Sequence, residues 1–225
     1  MMRMDPIFRV ATMAVVALSV LSAARAQLGP NLVVNGSFED PVVTSSRGWD
    51  VFPSIPGWTL SYGPAIEIQR QYNGWSAAHG SQWVELDADT IPPTGTNGSI
   101  GIYQDIPTIP GAVYQLSFAF SPRPGYHPND EAYDGVRVLW GGNHVATITA
   151  DGRPLSQPNW VYYTYTLVAS GTLTRLEFQD AGLYNNTYGA YIDDVRLYLV
   201  PEPASLIALA TGVVGLVARR RRARA

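Results

Sequence analysis

The sequence predicts an all-β protein: a jelly-roll β-sandwich with a signal peptide before it and a hydrophobic helix after it. The middle of the chain consists of short runs rich in β-branched and aromatic residues, separated by Gly, Pro, Asn and Asp. Several runs alternate apolar and polar residues, so that Leu116, Phe118 and Phe120, for example, fall on one face. Between residues 31 and 199, no stretch has the period of an amphipathic helix.

Ten strands follow from these runs. Short strands that each carry one apolar face are typical of two sheets packed over a shared core. The segment Trp140-Gly141-Gly142-Asn143-His144 predicts a hairpin, because Gly-Gly supplies the positive φ angles that a tight turn needs. The predicted strands are Asn31–Val34, Ala65–Gln69, Gln82–Leu86, Ser99–Ile106, Val113–Ser121, Gly135–Trp140, His144–Ala150, Trp160–Ala169, Leu173–Asp180 and Ala190–Leu199.

The first 26 residues have the three parts of a secretory signal peptide. Arg3 and Arg9 are basic, Val10 to Leu21 is apolar and uncharged, and a small residue at Ala26 suits a signal peptidase. Cleavage after Ala26 makes Gln27 the first residue of the mature chain. The apolar run is shorter than the roughly 20 residues that span a bilayer, which disfavours the alternative of an uncleaved anchor.

A second apolar segment, Ala204 to Ala218, is followed at once by arginines at positions 219 to 222 and 224. At about 1.5 Å per residue it is roughly 22 Å long, which is short for a membrane span. Pro201 and Pro203 interrupt its extension towards the N-terminus. We expect a transmembrane helix whose arginines stay on the cytoplasmic side. A nucleic-acid-binding tail is the weaker alternative, because the basic residues directly adjoin an apolar segment.

The order of features at this end resembles the PEP-CTERM sorting signal. Val200-Pro201-Glu202-Pro203-Ala204-Ser205 comes first, the apolar segment follows, and the arginines come last. The resemblance covers residues 200–225 and implies that Pro201, Glu202 and Pro203 mark where an exosortase processes the protein. It also implies a Gram-negative host that makes exopolysaccharide. The protein would then reach the cell surface or the extracellular matrix after at least transient anchoring in the inner membrane.

Residues 27–200, which contain the predicted ectodomain 27–199, are acidic and contain no cysteine. This span contains sixteen Asp and Glu residues, seven Arg residues and no Lys, which gives a formal charge of −9. Such a surface argues against nucleic acid as a partner and suits divalent cations or neutral ligands. Without cysteine, thiol catalysis, disulfides and cysteine-zinc sites are excluded.

An ordered set of short signatures runs through this span. They are Asn31 to Glu39, Pro56-Gly57-Trp58, Ile66-Glu67, His79 to Asp87, Gly98-Ser99-Ile100, Tyr103-Gln104, Pro110 to Tyr114, Leu116-Ser117-Phe118 and Gly189 to Val195. The set resembles galactose-binding-like β-sandwich domains, both the domain-of-unknown-function family of plant cell-wall proteins and several carbohydrate-binding modules. The resemblance implies a jelly-roll sandwich of a kind that often binds polysaccharide.

Two acidic clusters suggest a calcium site. Glu39 ends the opening signature, and Asp193 and Asp194 lie in the last predicted strand. In sandwiches of this kind the first and last strands lie close together, and calcium takes six to eight oxygen ligands. The resemblance implies a structural calcium with Glu39 and Asp194 as ligands, and with Asp193 as a further candidate that strand alternation could turn away. The alternative is an exposed turn pair or a hydrogen-bonded corner.

Aromatic residues suggest a glycan-binding surface. Sugar rings have apolar faces that lie against aromatic rings, while their hydroxyls need polar partners. Trp75, Tyr126 and Tyr184 lie in predicted loops among Asn, Asp and Gly residues, which makes them the candidate ligand contacts. A second group is expected to fill the core instead: Trp58, Trp83, Trp140 and Trp160.

An enzyme is the lesser alternative. Glu67, Glu85 and Asp87 could supply a glycosidase carboxylate pair, but no catalytic motif flanks them and the three His residues lack zinc spacing. The sequence therefore predicts a non-catalytic surface protein that binds exopolysaccharide. A purely structural or protein-binding matrix component is the main alternative.

Overall fold

Short antiparallel strands make up nearly all the regular structure of the computed structural model, which describes residues 29–91, 96–125, 134–182, 185 and 187–201. The single helical element in these ranges is a 3-10 turn at Tyr72–Gly74. The strands are β1 Trp49–Phe52, β2 Ser54–Ile55, β3 Trp58–Tyr62, β4 Ile66–Arg70, β5 Gln82–Glu85, β6 Asp87–Ile91, β7 Thr96–Ser99, β8 Gly101–Pro107, β9 Val113–Ser121, β10 Asp134–Trp140, β11 Asn143–Ala150, β12 Val161–Val168, β13 Leu173–Asp180 and β14 Tyr191–Leu199.

The strands form two six-stranded sheets and one small hairpin. The first sheet has the order β1, β4, β5, β14, β9, β12, and the second has the order β11, β10, β13, β8, β3, β2. Strands β6 and β7 pair with each other. Pro30–Leu199 form one compact unit, and the predicted all-β sandwich is confirmed.

The core lies between the two sheets and consists of the side chains that alternation predicts. Phe118 of the first sheet meets Phe178 of the second with ring centroids 5.0 Å apart, and Trp58 lies 6.0 Å from Phe178. Trp58 and Trp140 are buried in this core, as predicted. Because the chain has no cysteine, side-chain packing and not disulfide bonds has to supply its stability, and the large aromatic core does this.

Nine of the ten predicted ranges overlap observed strands. The Gly-Gly hairpin is also confirmed, since β10 and β11 are joined by Gly141 and Gly142 with φ angles of 56° and 79°. Strands β1, β2, β3, β6 and β7 were missed because they are short, polar or interrupted by Gly and Pro. The signal peptide, the cleavage site Ala26/Gln27, Glu202, Pro203 and the segment Ala204 to Ala218 lie outside the described residues. In the described part of the chain, no helical element has the length and hydropathy that a membrane span requires.

The predicted strand Asn31–Val34 is wrong, because a single backbone bond, from the Leu32 N–H to the Leu197 carbonyl (2.9 Å), and several side-chain amides take the place of a continuous backbone ladder there. The Asn31 amide donates to the Val195 carbonyl (3.2 Å) and accepts from the Leu197 N–H (2.9 Å). On the other side, Gln104 of β8 accepts from the Val34 N–H (2.8 Å) and donates to the Val34 carbonyl (3.0 Å). The opening segment therefore does lie beside the last strand, but as an irregular chain.

Gln82 holds the next part of this segment. Its fully buried amide accepts from the Val43 N–H at 2.6 Å and donates to the carbonyls of Phe38 (2.6 Å) and Pro41 (3.0 Å). These bonds satisfy backbone groups that no strand pairs, which is a requirement for burying irregular chain.

We expect Gln82→Ala to lower the free energy of unfolding by about 2–4 kcal/mol, because it leaves three backbone groups without this partner, two of them in buried bonds. Urea denaturation measures this loss. The matched control is Gln115→Ala, a half-buried position in β9, which we expect to cost about 0.5 kcal/mol or less. Equal losses for the two variants would contradict the role assigned to Gln82.

Candidate functional site

The outer face of the first sheet, which faces away from the core, carries polar and aromatic side chains that are buried. In β4, Ile66 and Ile68 point into the core, so Glu67 and Gln69 lie on the opposite face. The strand register places Glu67 opposite Glu85, and Glu85 opposite Tyr191. We call this set of side chains, each at most 2% exposed, the outer-face cluster: Glu67, Gln69, Trp83, Glu85 and Tyr191.

Arg123 joins the outer-face cluster to the loops above it. Its Nη1 lies 2.6 Å from Glu85 Oε1 and also donates to the Thr187 carbonyl at 2.9 Å. Its Nη2 lies 3.4 Å from the Tyr72 hydroxyl, and its guanidinium lies 4.3 Å from the centre of the Tyr188 ring. Arg123 is 8% exposed, so this is a buried ion pair whose cation also binds two loop segments.

Gln69 bridges the two carboxylates of the outer-face cluster. Its side-chain N–H donates to Glu67 at 2.9 Å and also to Glu85. Burial raises the pKa of Glu67, against the lowering effect of hydrogen bonds from Gln69 and the Asp89 N–H. Burial also raises the pKa of Glu85, against the lowering effect of Arg123. A pair of carboxylates in this state holds protons more tightly than exposed ones.

The glycosidase alternative would need two carboxylates that face each other across an open cleft. Glu67 and Glu85 do lie together, but they are enclosed and bridged by Gln69. Asp87 is also buried and accepts from the Thr187 N–H at 3.0 Å. Among the described residues, then, these three acids are enclosed by the protein and do not line an open cleft.

Aromatic rings surround Tyr191 on this face. The centroid of its ring lies 5.7 Å from that of Trp83 and 6.3 Å from those of Trp75 and Trp160. Trp83 is fully buried but lies outside the main core, and Trp160 is only half-buried. Trp83 is therefore buried as predicted, although on the outer face of the first sheet, whereas the prediction that Trp160 fills the core is wrong because it is only half-buried.

Trp75, the first predicted ligand contact, lies at the rim of this aromatic group. Its indole N–H donates to the Ser156 carbonyl (3.0 Å), and the Trp160 indole N–H donates to the Ser76 carbonyl (2.9 Å). These two bonds hold the Trp75 loop against the chain before β12. The half-buried Trp75 lines a shallow depression of about 280 Å³ together with Gln71, Gly74, Ser76, Ala77, Gly80 and Ser81.

This depression combines an aromatic ring with amide, hydroxyl and backbone polar groups, which is the chemistry that a sugar ring requires. Ligand binding by Trp75 stays a prediction. The other two predicted contacts, Tyr126 and Tyr184, lie outside the described residues.

Two of the three predicted calcium ligands, Glu39 and Asp193, bind the loop at residues 79–82, and all three accept hydrogen bonds from protein donors. Glu39 accepts from the Ser81 N–H (2.7 Å), the Ser81 hydroxyl (2.9 Å) and the Gln82 N–H (2.8 Å). Asp193 accepts from the His79 N–H at 2.8 Å. Burial raises the pKa of the Asp193 carboxyl to about 8.

Asp194 binds different partners, because a register irregularity follows Asp193 and Asp194 has a positive φ of 49°. Its carboxylate pairs with Arg196 at 2.7 Å and accepts from the Tyr162 hydroxyl at 2.9 Å. Within the described residues, no group of three or more His, Asp or Glu side chains is arranged to hold a metal ion. Calcium binding stays a prediction.

Sequence reasoning did not single out Arg123, Gln69 or Tyr191. The alternation Ile66-Glu67-Ile68-Gln69 is typical of a strand with one face in water, so it gives no sign that the polar face is covered. Arg123 lies between two prolines in a loop and has no motif around it. The available signal was the rarity of Arg in an acidic ectodomain, and this did not identify a partner.

Comparison with known families matches the chain in two parts. The family described as "Protein of unknown function (DUF642)" matches residues 31–198. The PEP-CTERM protein-sorting motif matches residues 199–222.

Relatives with similar sequences are much longer proteins. Residues of this chain are 32% identical over 180 positions to a multifunctional-autoprocessing repeats-in-toxin protein of Vibrio vulnificus, covering 80% of this chain and 3% of that protein. Halomucin of Haloquadratum walsbyi is 27% identical over 216 positions, covering 90% of this chain and 2% of the relative. The chain thus spans only a few per cent of the length of these relatives.

Solved structures with a similar fold include carbohydrate-binding modules. One is TmCBM61 in complex with β-1,4-galactotriose, with a TM-score of 0.44 and 17% identity, covering 76% of this chain and 99% of that one. Another is the CBM22-1 xylan-binding domain of Paenibacillus barcinonensis Xyn10C, with a TM-score of 0.43 and 14% identity, covering 70% and 99%.

The pH dependence of stability tests the buried state of Glu67. Because its pKa is raised by folding, the folded chain binds the proton more tightly than the unfolded chain, and stability falls as pH rises above about 4.5. We expect Glu67→Gln to become more stable relative to the unsubstituted protein between about pH 4 and about pH 8, as measured by urea denaturation. The gain is about 1.4 kcal/mol for each unit by which the pKa is raised.

Asp105→Asn is the control, because pairing with Arg175 lowers the pKa of Asp105. The Asp105 carboxyl is ionised in both the folded and the unfolded chain over most of the range from about pH 4 to about pH 8. The stability of Asp105→Asn relative to the unsubstituted protein should therefore stay nearly constant with pH. A flat profile for Glu67→Gln as well would contradict the buried state of Glu67.

Calcium is tested by thermal melting of the full chain with and without a chelator. The calcium prediction requires that the chelator lower Tm by several degrees, because an ion that binds only the folded state stabilises it. It also requires that Asp194→Asn lower Tm and remove the effect of the chelator. A melt that the chelator leaves unchanged would rule the site out.

Proposed function

Since the chain belongs to the DUF642 family and carries a PEP-CTERM sorting motif, we propose that it is an exported, non-catalytic protein that binds glycan at the cell surface. The sorting motif indicates a protein that is exported and processed at the cell envelope by way of an exosortase. The finer placement, in a Gram-negative cell with anchoring in the inner membrane, is part of the proposal.

The depression beside Trp75 is the observation that carries glycan binding. The Trp75 ring is fixed by its bond to Ser156 and by an edge contact with Tyr72 at 5.6 Å between centroids. A ring held in this way loses little conformational freedom when a sugar stacks on it. Gln71 and Ser81 line the same depression and supply hydrogen-bonding groups for hydroxyls.

The charge of the chain favours a neutral polymer. Residues 27–200 carry a formal charge of −9, so an anionic polysaccharide would be repelled at moderate ionic strength. We therefore propose a neutral exopolysaccharide as the ligand. The absence of catalysis is supported by the enclosure of Glu67 and Glu85, whose carboxylates are bonded to Gln69 and Arg123.

Affinity electrophoresis of the full chain in mild detergent tests the proposal, with neutral and anionic polysaccharides in the gel, including the host's own exopolysaccharide. We expect a neutral polymer to retard the protein. We expect Trp75→Ala to weaken the affinity at least about tenfold, which corresponds to about 1.4 kcal/mol.

Tyr103→Ala is the matched control, because Tyr103 is a half-buried aromatic residue of β8 in the second sheet, stacked under Arg175 at 3.5 Å. It should bind as the unsubstituted protein does. Retardation that survives Trp75→Ala would place the ligand elsewhere on the chain. If no polymer retards the protein, glycan binding fails and a structural or protein-binding role in the matrix replaces it.

A further inference from the structure

Two aromatic side chains are exposed in the described part of the chain, Tyr162 in β12 (54%) and Tyr62 in β3 (40%). Tyr163 and Tyr165 pack against the core, so alternation places the Tyr162 side chain on the opposite side, the outer face of the first sheet. That face also carries the outer-face cluster, against which Trp75 packs. Tyr162 therefore offers an open, flat apolar ring on the face of the sheet where Trp75 lies.

The Tyr162 ring is held in place by an ion pair. Its hydroxyl donates to Asp194 at 2.9 Å. Arg196 binds both oxygens of that carboxylate, with its Nε at 2.8 Å and its Nη2 at 2.7 Å. A ring that is fixed before the ligand arrives loses little freedom when a sugar stacks on it. Tyr162 is therefore preorganised for a flat apolar partner.

One loop, residues 76–81, lies beside both Trp75 and Tyr162. The Ser76 carbonyl of this loop accepts from the indole N–H of Trp160, which is two residues before Tyr162. Ser76 also lines the depression that contains Trp75. The depression and the exposed ring therefore adjoin the same loop.

The spacing of the strands separates the two rings. The Trp75 ring packs against Tyr191 of β14, with centroids 6.3 Å apart. Strand β9 lies between β14 and β12. Because neighbouring strands are about 4.8 Å apart, the backbone at Tyr162 lies about 10 Å across the sheet from the backbone at Tyr191. A ligand that contacts both Trp75 and Tyr162 therefore has to be a chain of linked sugar units.

Uncharged polar groups surround the Tyr162 ring. Residues 154–174 contain no Asp, Glu, Lys, Arg or His. The exposed Thr164 follows Tyr162 on the outer face and lies opposite the half-buried Ser117 of β9. Hydroxyls beside an aromatic ring are the polar partners that a sugar ring requires. The surface beside Tyr162 therefore suits the same neutral ligand as the depression beside Trp75.

We propose that Tyr162 stacks on a second sugar unit of the polymer that Trp75 binds, so that the ligand is the interior of a linear, neutral polysaccharide lying across the loop at residues 76–81. This inference rests on the proposed function and makes its ligand more specific. Once one unit is bound at Trp75, a linked unit meets Tyr162 at a high effective concentration, which strengthens the binding of long chains alone. Short fragments gain nothing from Tyr162.

A length series of fragments tests this inference. The probe is the polysaccharide that retards the full chain, among galactan, xylan, β-glucan and the host's own exopolysaccharide, together with its hydrolysis fragments. Isothermal titration uses the full chain in a detergent without sugar groups. We expect the affinity to rise at least about tenfold from the shortest fragment that binds to the longest. Tyr162→Ala should remove this rise and leave the affinity for the shortest fragment unchanged, whereas Trp75→Ala should weaken the binding of both.

Tyr62→Ala is the matched control, because it removes the other exposed tyrosine, which lies in the second sheet. It should keep the full rise. Tyr162→Phe keeps the ring without its bond to Asp194 and should retain most of the rise, which separates stacking from a structural role of that bond.

Three results would overturn the inference and leave the Trp75 site standing: no rise in the unsubstituted protein, a rise that survives Tyr162→Ala, or equal weakening of short and long fragments by Tyr162→Ala. A loss with Tyr62→Ala as large as that with Tyr162→Ala would overturn it too. If none of the polymers retards the protein, the proposed function and this inference fail together.

Discussion

The ion pair between Arg123 and Glu85 is the interaction on which the outer half of the first sheet depends. Glu85 has no exposed surface, and Arg123 is 8% exposed, so neither charge is stabilised by water. Breaking a pair of this kind typically costs about 3–5 kcal/mol, a large part of the roughly 5–15 kcal/mol that holds a domain folded. Because Arg123 also binds the Thr187 carbonyl and approaches Tyr72, the same cation fixes two loops over the sheet.

Strand alternation predicted which side chains share a face, but it could not predict what covers that face. The core row of Leu116 and Phe118 was identified from period two alone, and it is buried as expected. The strand Ala65–Gln69 was predicted as well, and in β4 Ile68 faces the core while Gln69 lies on the opposite face. However, a polar row normally lies in water, and here loops distant in sequence enclose it. The burial of Trp83 and Gln69 could therefore not be predicted from the local alternation of residues.

The opening segment shows a similar limit. Its apolar residues, Leu32 to Val34, suggested a strand, and the segment does lie beside β14. One backbone bond there joins the Leu32 N–H to the Leu197 carbonyl. The side chains of Asn31 and Gln104 supply further bonds, because their amides carry both a donor and an acceptor and so replace a backbone partner. The same segment leads to Glu39, which binds the loop at Ser81, and Asp193 binds the same loop at His79. Asp194 binds Arg196 and Tyr162 instead. The role of each carboxylate thus depended on donors that no motif marks.

Trp160 connects the outer-face cluster to the loop that carries Trp75. It directly precedes β12, and its indole N–H is bonded to the Ser76 carbonyl, next to Trp75. Its ring also lies 6.3 Å from those of Trp83 and Tyr191, so it packs on the outer-face cluster as well. One side chain therefore contacts both the buried polar face of the first sheet and the loop that carries the proposed ligand contact.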